Sequence, residues 1–172
     1  MNVLVVRAGV IGTVYGAHLG ACGHAVSVLA YDERTEAIAH EGLRARDVLA
    51  DTETHTPATV IDLAGEQALD VVLVAVCRDN LDLVVGPLTS LPGRPLLLFF
   101  GNNPKGRAGL APELAGRGAP RVPRRGRGDE RSGCRVCAHI STPTRLEKAP
   151  EPRLEAVHEA LKISGFEVQR SV

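Results

Sequence analysis

Short apolar runs recur along the chain and are separated by segments with helical spacing. The runs at 2–6, 25–30, 71–76 and 96–100 are continuous rather than alternating, which is typical of strands buried on both faces of a parallel sheet. Between the last two runs, leucine and valine at helical spacing predict a helix within 79–91. This order predicts an α/β fold of the Rossmann type, with a doubly wound, mainly parallel sheet and helices on both faces.

The pattern between the second and third runs is less regular. Residues 33–41 have the spacing of a helix, and segments 43–50 and 54–61 predict a hairpin or a pair of edge strands. Residues 62–69 predict a short helix. Near the end of the chain, residues 153–163 predict an amphipathic helix that a glycine ends at position 165, with another strand beginning at 166.

The turn after the first strand has the residues of a phosphate-binding loop. The first turn of a helix offers unpaired backbone N–H groups and the positive end of the helix dipole. We expect Gly9 to let a diphosphate approach the backbone, with Val10 and Ile11 in the first helical turn, and Gly12 to bring the helix close to the strand. Arg7 stands where this fingerprint has glycine. An arginine can form the turn if its φ stays negative, and its side chain then either crowds a bound dinucleotide or reaches a phosphate.

Composition narrows the class of protein further. The 172 residues carry 20 basic and 20 acidic side chains, so no net charge draws the chain to nucleic acid or to an anionic membrane. The four cysteines lack the spacing of a disulfide framework, and no apolar run approaches the length of a membrane span or a leader. We therefore expect a cytoplasmic protein with reduced thiols and without a membrane partner.

Residues 116–133 differ from the rest of the chain. This stretch is rich in arginine, glycine and proline, with six arginines against two acidic residues. It predicts an irregular insert within the domain. It is interpreted as a solvated linker or the product of a reading-frame slip, and as an RNA- or phosphate-binding arm in the alternative. Because no aromatic residues are interleaved for base stacking, a nucleic-acid partner is the less favoured alternative.

Cysteine and histidine residues are candidates for metal or catalytic sites. Cys134 and Cys137, with His139, have the spacing of half a zinc site, but no second pair follows and the segment has a strand pattern. We predict no metal site. His24 is interpreted as a hydrogen-bonding residue of a tight turn. The remaining histidines are interpreted as solvated, namely His18, His40, His55 and His158.

Several of these segments together resemble the N-terminal domain of the ketopantoate reductase family. They are Gly9-Val-Ile-Gly12, Tyr15-Gly16-Ala17, Gly23-His24-Ala-Val26, the run at 71–76 before Cys77, and Phe99-Phe-Gly-Asn102-Asn103-Pro104. The resemblance covers residues 1 to about 115 and, more loosely, about 138 to 170. It implies a Rossmann domain joined to a helical C-terminal domain, and NADPH-dependent reduction of 2-dehydropantoate to pantoate in pantothenate synthesis. The sequence of residues 99–104 indicates a divergent branch of the family, whose substrate is 2-dehydropantoate or a related 2-oxo acid.

The resemblance also implies cofactor contacts. The family's arginine for the 2′-phosphate of NADPH falls on Tyr31. Asp32 beside it suits a ribose hydroxyl and favours NADH, whereas Arg34 can compensate from the next helix and favours NADPH. The resemblance implies NADP as the cofactor, and NAD is the alternative. A basic residue near the nicotinamide falls on Cys77, with Arg78 as an adjacent substitute.

One residue of this chain matches a residue that contacts the substrate in the family. The asparagine that contacts cofactor and substrate in the family falls on Asn102. The family's proton donor is a lysine of the helical domain, and Lys162 is interpreted as a surface residue instead. We expect a single dinucleotide-binding domain over 1–172 without the helical domain, inactive alone and with a possible homodimer through exposed apolar surface. The alternative is a noncatalytic or degenerate remnant of a nucleotide-binding domain.

Overall fold

The computed structural model describes residues 1–30, 34–62, 68–77, 80–100, 118–119, 135–138, 144–146 and 152–170. The helices are α1 Val10–Ala21, α2 Arg34–Glu41, α3 Leu81–Thr89 and α4 Pro152–Ile163. The strands are β1 Asn2–Val6, β2 Ala25–Leu29, β3 Leu43–Asp47, β4 Thr52–Thr56, β5 Thr59–Val60, β6 Val71–Val74, β7 Leu96–Phe99, β8 Gly118–Ala119, β9 Arg135–Ala138, β10 Thr144–Leu146 and β11 Val168–Arg170.

Six strands form the main sheet, in the order β5-β2-β1-β6-β7-β8. Every neighbouring pair in it is parallel. From β1 the chain moves outward through β2 to β5, then returns to β6 on the other side of β1. This reversal places the switch point of a doubly wound sheet between β1 and β6. The predicted fold class is confirmed.

The continuous apolar runs became strands because both faces of the sheet are covered. One face packs against α1 and α4, and the other packs against α3. Along β1, alternate residues enter the two core clusters, Val3 and Val5 on one face and Leu4 and Val6 on the other. All four are 1% exposed or less.

The outlying strands form two smaller sheets. β3 and β4 make the antiparallel hairpin that the sequence predicted, and β9 pairs in parallel with β3. β10 pairs in parallel with β11. Residues 63–67, the middle of the segment predicted as a short helix, lie outside the described residues.

The helices predicted within 33–41, 79–91 and 153–163 occur within two residues of their expected bounds. α3 continues through Pro87, which lies inside the helix. Gly165, with φ of 87°, follows α4 as expected. Within the stretch predicted to be irregular, Gly118–Ala119 instead pairs with β7 as the last strand of the main sheet. That part of the prediction is wrong, because a backbone ladder needs no apolar side chains, and the rest of 116–133 lies outside the described residues.

The segment after α4 packs back onto α1. The rings of Tyr15 and Phe166 stack with their centroids 4.2 Å apart, and Phe100 meets Tyr15 edge-on at 4.6 Å. His18 lies against Phe166, and its Nδ1 is 3.1 Å from the carbonyl oxygen of Ser164. The interpretation of His18 as solvated is wrong, since its partner comes from a segment far along the sequence.

Candidate functional site

The candidate site lies at the carboxyl ends of β1 and β6, where the winding of the sheet reverses. The turn from Arg7 to Gly9 follows β1, and residues 75–77 follow β6. The Ala75 N–H donates to the carbonyl oxygen of Val6 at 3.3 Å, which keeps the two strand ends side by side. In doubly wound sheets this edge is where ligands bind.

Arg7 occupies a left-handed backbone conformation, with φ of 58°. Its N–H donates to the carbonyl oxygen of Leu29 at 3.0 Å, and its own carbonyl accepts from the Gly9 N–H at 2.8 Å. The turn therefore forms without the negative φ that the sequence analysis set as its condition, because these two bonds hold the reversal of the chain between the ends of β1 and β2. A non-glycine residue in this conformation costs roughly 1–2 kcal/mol.

Gly9 is the N-cap of α1 and faces open space. Its φ of −69° and ψ of −169° are extended values that any residue adopts. A Cβ added there would meet nothing within 4 Å. The packing of the described residues therefore does not require glycine at this position. The Arg7 side chain also stays out of this space, so it does not crowd the backbone of Gly9.

Gly12 is required by packing, as the sequence predicted. A Cβ there would lie 2.8 Å from Val5 Cγ1 and 2.9 Å from the carbonyl oxygen of Arg7. Gly16 lies close to β1 one turn later, where a Cβ would be 3.1 Å from Val5 Cγ2, and it also approaches β3, with Leu43 Cδ1 2.7 Å from that position. The predicted close approach of α1 to β1 is confirmed.

The start of α1 is arranged to receive an anion. Gly9 provides no side-chain cap, and the first turn carries no acidic residue. The first intrahelical bond is the Thr13 N–H to the carbonyl oxygen of Gly9, at 2.8 Å. The N–H groups of Val10, Ile11 and Gly12 therefore have no acceptor within the helix, and they carry the positive end of its dipole.

Thr13 supports this turn and was missed by sequence reasoning. Its Oγ1 donates to the carbonyl oxygen of Ala8 at 2.9 Å, and the side chain is fully buried. The signal was a small hydroxyl residue in the first helical turn, which can satisfy a carbonyl of the preceding loop. The bond fixes Ala8 between the left-handed Arg7 and the open Gly9.

The other predicted site residues divide into those near this edge and those outside the described residues. Arg34 is half-buried and begins α2, just after the carboxyl end of β2. Cys77 is an exposed free thiol just after β6. Asp32, Arg78 and Asn102 lie outside the described residues, as do Tyr31, Cys134 and His139.

His24 lies at the opposite edge of the sheet, in the turn before β2. Its Nδ1 is 3.3 Å from the N-terminal amino group of Met1, which confirms a hydrogen-bonding turn residue. Burial lowers the pKa of His24, and the positive charge of the N-terminus lowers it further. This histidine therefore takes no part in the site at the carboxyl edge.

One side-chain cluster in the described part of the chain has ligand atoms close enough for a metal ion. It consists of Glu155, His158 and Glu159 on α4, with ligand atoms within 4.8 Å of one another. Lys162 Nζ lies 3.4 Å from Glu159 Oε1 and competes for that carboxylate. Lys162 itself is half exposed, as expected for a surface residue.

The sheet order and the glycine turn define an α/β domain of the Rossmann type. A family model described as Ketopantoate reductase PanE/ApbA matches residues 3–102. The chain belongs to this ketopantoate reductase family. A search among curated protein sequences finds no match. Among the described residues, every helix is too short or too polar to cross a bilayer.

Solved structures agree with this fold. The PanE/ApbA family ketopantoate reductase from Ralstonia eutropha JMP134 has a TM-score of 0.81 at 21% identity, over 99% of this chain and 56% of that one. The 2-dehydropantoate 2-reductase from Methylococcus capsulatus has a TM-score of 0.79 at 19% identity, over 99% and 57%. D-mandelate dehydrogenase, solved with NADH and anilino(oxo)acetate, has a TM-score of 0.77 at 16% identity, over 99% and 57%. This chain thus spans just over half the length of these proteins.

Proposed function

We propose that this chain is the cofactor-binding half of an NAD(P)H-dependent reductase that acts on 2-dehydropantoate or a related 2-oxo acid. The observation that carries the proposal is the uncapped start of α1, with its open glycine, at the switch point of the sheet. Family membership supports the class of reaction. The D-mandelate dehydrogenase structure, with NADH and anilino(oxo)acetate, supports a nicotinamide cofactor and a 2-oxo acid.

The diphosphate of the cofactor fits the start of α1. The N–H groups of Val10, Ile11 and Gly12 would donate to its oxygens, and the helix dipole favours its negative charge. Gly9 leaves room for the diphosphate, because no described residue other than its two chain neighbours has an atom within 4 Å of where a Cβ would stand. When bound, the nicotinamide supplies the hydride that reduces the ketone.

The adenosine end decides between the two cofactors. We propose NADPH, with the Arg34 guanidinium on the 2′-phosphate, because Arg34 begins α2 beside the carboxyl end of β2. NADH is the alternative, in which Asp32 accepts a hydrogen bond from a ribose hydroxyl. Replacing Arg34 by Gln is expected to weaken NADPH binding and leave NADH binding unchanged. Equal binding of NADPH by the variant would exclude this role for Arg34.

The residues proposed at the nicotinamide end of the cofactor are those that match the family's residues there. We propose that Cys77 and Arg78 lie beside the nicotinamide, and that Asn102 contacts both cofactor and substrate. Reduction of a ketone also needs a proton donor. The matching structures are nearly twice as long as this chain, and we propose that the donor belongs to a part of the protein that corresponds to the rest of their length.

Calorimetric titration of the chain with NADPH and with NADH tests the proposed function. We expect binding of at least one cofactor, and Gly9→Ala is expected to weaken it by about tenfold or more because the new methyl group enters the space of the diphosphate. Gly86→Ala is the matched control: a Cβ there also meets open space, but Gly86 lies on α3, away from the glycine turn, so binding stays unchanged.

Two outcomes of this titration would contradict different parts of the proposal. A folded chain that binds neither cofactor would contradict the proposal and favour the second candidate, a noncatalytic remnant. The observation behind that candidate is the left-handed Arg7 in place of the family's glycine. Equal binding by the Gly9→Ala variant would place the cofactor away from this turn.

A further inference from the structure

We propose that the guanidinium of Arg7 is a ligand of the cofactor diphosphate. In this chain a charged side chain would then stand in the turn where the family's fingerprint has its first glycine. The inference rests on the proposed function, since it assumes that a dinucleotide occupies the start of α1. It adds a ligand that the glycine fingerprint does not contain.

The first argument is the charge environment of Arg7. No hydrogen bond or ion pair joins its side chain to any other described residue. Other described arginines do have partners: Arg44 lies 2.9 Å from Glu53, and Arg46 pairs with Asp51. Arg7 is also half-buried, so part of its surface is already removed from water. A half-buried arginine whose guanidinium pairs with no anion of the described residues is suited to an anionic ligand.

The second argument is the placement of Arg7 within the turn. Both backbone polar groups of Arg7 are occupied, the N–H by Leu29 and the carbonyl by the Gly9 N–H. Only its side chain is left to interact with a ligand. Arg7 stands two residues before the open Gly9 and three before the first free N–H of α1. The arginine and the helix start therefore border the same carboxyl edge of the sheet.

The third argument is that the arginine leaves room for the ligand. Apart from Gly9 and its two chain neighbours, no atom of the described residues lies within 4 Å of where a Cβ of Gly9 would stand, and this includes the Arg7 side chain. A diphosphate has two phosphate groups. The N–H groups of the helix start suit one of them, and a planar guanidinium with several donors suits the other.

The test removes the positive charge of Arg7 while keeping its left-handed backbone conformation. Asn tolerates the left-handed conformation, so Arg7→Asn removes the cation alone, and Arg7→Lys keeps a cation. Binding of NADH and NADPH to the full chain is measured at low and at high salt. We expect Arg7→Asn to weaken both cofactors by the same factor, about tenfold, because the diphosphate is common to them. We also expect a shallower salt dependence, and recovery of most of the affinity in Arg7→Lys.

A matched control is available at Arg94. It is also a left-handed arginine, with φ of 51°, but it lies before β7 at the opposite edge of the sheet. Arg94→Asn is expected to bind both cofactors as the unmodified chain does. Circular dichroism establishes that each variant is folded, and Arg7→Gly serves as a second uncharged variant if Arg7→Asn does not fold.

Three results would overturn the inference. Equal or tighter binding by the uncharged variants would show that the arginine crowds the cofactor or takes no part. A loss confined to NADPH would place the guanidinium on the 2′-phosphate. If the folded, unmodified chain binds neither cofactor, the proposed function fails and this inference with it, whereas normal binding by the unmodified chain and an unaffected Arg7→Asn removes the inference alone.

Discussion

The backbone N–H of Arg7 donates to the carbonyl oxygen of Leu29 across 3.0 Å, which joins the turn after β1 to the last residue of β2. The bond holds Arg7 at a φ of 58°, in the conformation that glycine adopts freely. The turn thus keeps the geometry of a glycine fingerprint although the glycine is absent. The left-handed conformation of Arg7 lowers the free energy of unfolding of the domain.

Arg7→Gly is expected to raise the free energy of unfolding by about 0.5–1 kcal/mol. The substitution relieves roughly 1–2 kcal/mol of left-handed strain. It also adds about 0.5–1 kcal/mol of conformational freedom to the unfolded chain, which offsets part of the gain. Urea unfolding measures the difference. Arg94→Gly, at the other edge of the sheet, is the control and is expected to gain a similar amount. A less stable Arg7→Gly would mean that its side chain stabilises the fold.

Gly12→Ala is expected to destabilise the domain by about 1–3 kcal/mol. The new methyl group would lie 2.8 Å from Val5 Cγ1 and 2.9 Å from a backbone oxygen, so α1 must move away from β1. Gly86→Ala in α3 is expected to change the stability by less than about 0.5 kcal/mol, because crowding of the new Cβ by the adjacent Pro87 ring offsets the higher helix propensity of alanine. Chemical denaturation of the two variants should show a clear loss of stability only for Gly12→Ala. Equal shifts would contradict the close packing of α1.

The stacked rings of Tyr15 and Phe166 are expected to couple by about 0.5–1.5 kcal/mol beyond their burial. Their centroids lie 4.2 Å apart, and the ring planes differ by 8°. A double-mutant cycle with leucine at each position, followed by urea unfolding, isolates this coupling. Tyr15→Leu combined with Leu88→Ala is the control, since Leu88 packs on the other face of the sheet. That pair is expected to be additive, and additivity of the aromatic pair would exclude the coupling.

Stability is expected to fall as the pH drops below about 6.5, the ordinary pKa of histidine. The pKa of His24 is lowered in the folded chain by burial and by the N-terminal charge, so the unfolded chain binds the proton more readily. The contribution is present above pH 6.5 and is lost as the pH falls through the folded pKa. His24→Asn is expected to show a smaller loss between pH 7.5 and 5.5 in urea unfolding. The exposed His40→Asn is the control, and an unchanged loss in His24→Asn would contradict the assignment.

The elements of the main sheet were predictable because their signals are local. β1, β6 and β7 are continuous apolar runs, and α4 has an apolar face at helical spacing. β8 was missed because Gly118–Ala119 has no apolar pattern, and its pairing with β7 depends on the backbone alone.

The candidate site was predictable in part. Gly9 and Gly12 were named together, and only the structure separates the glycine that packing requires from the one that it does not. The φ of Arg7 depends on the position of the Leu29 carbonyl, which belongs to another strand. Thr13 and Phe166 were missed as partners of Ala8 and Tyr15 for the same reason, because contacts across the fold leave no periodic pattern in the sequence.

Among the described strands β1 is synthesised before the others, and it becomes an inner strand of the main sheet. β2 follows it closely, but β6 ends only at Val74, so one side of β1 has no native strand partner until that residue has emerged. At synthesis rates of about 5–20 residues per second, the growing chain carries an open apolar strand edge for several seconds. Such long-range parallel pairing is slow and exposed to aggregation. This edge of β1 is therefore open to mispairing in the nascent chain until β6 has emerged.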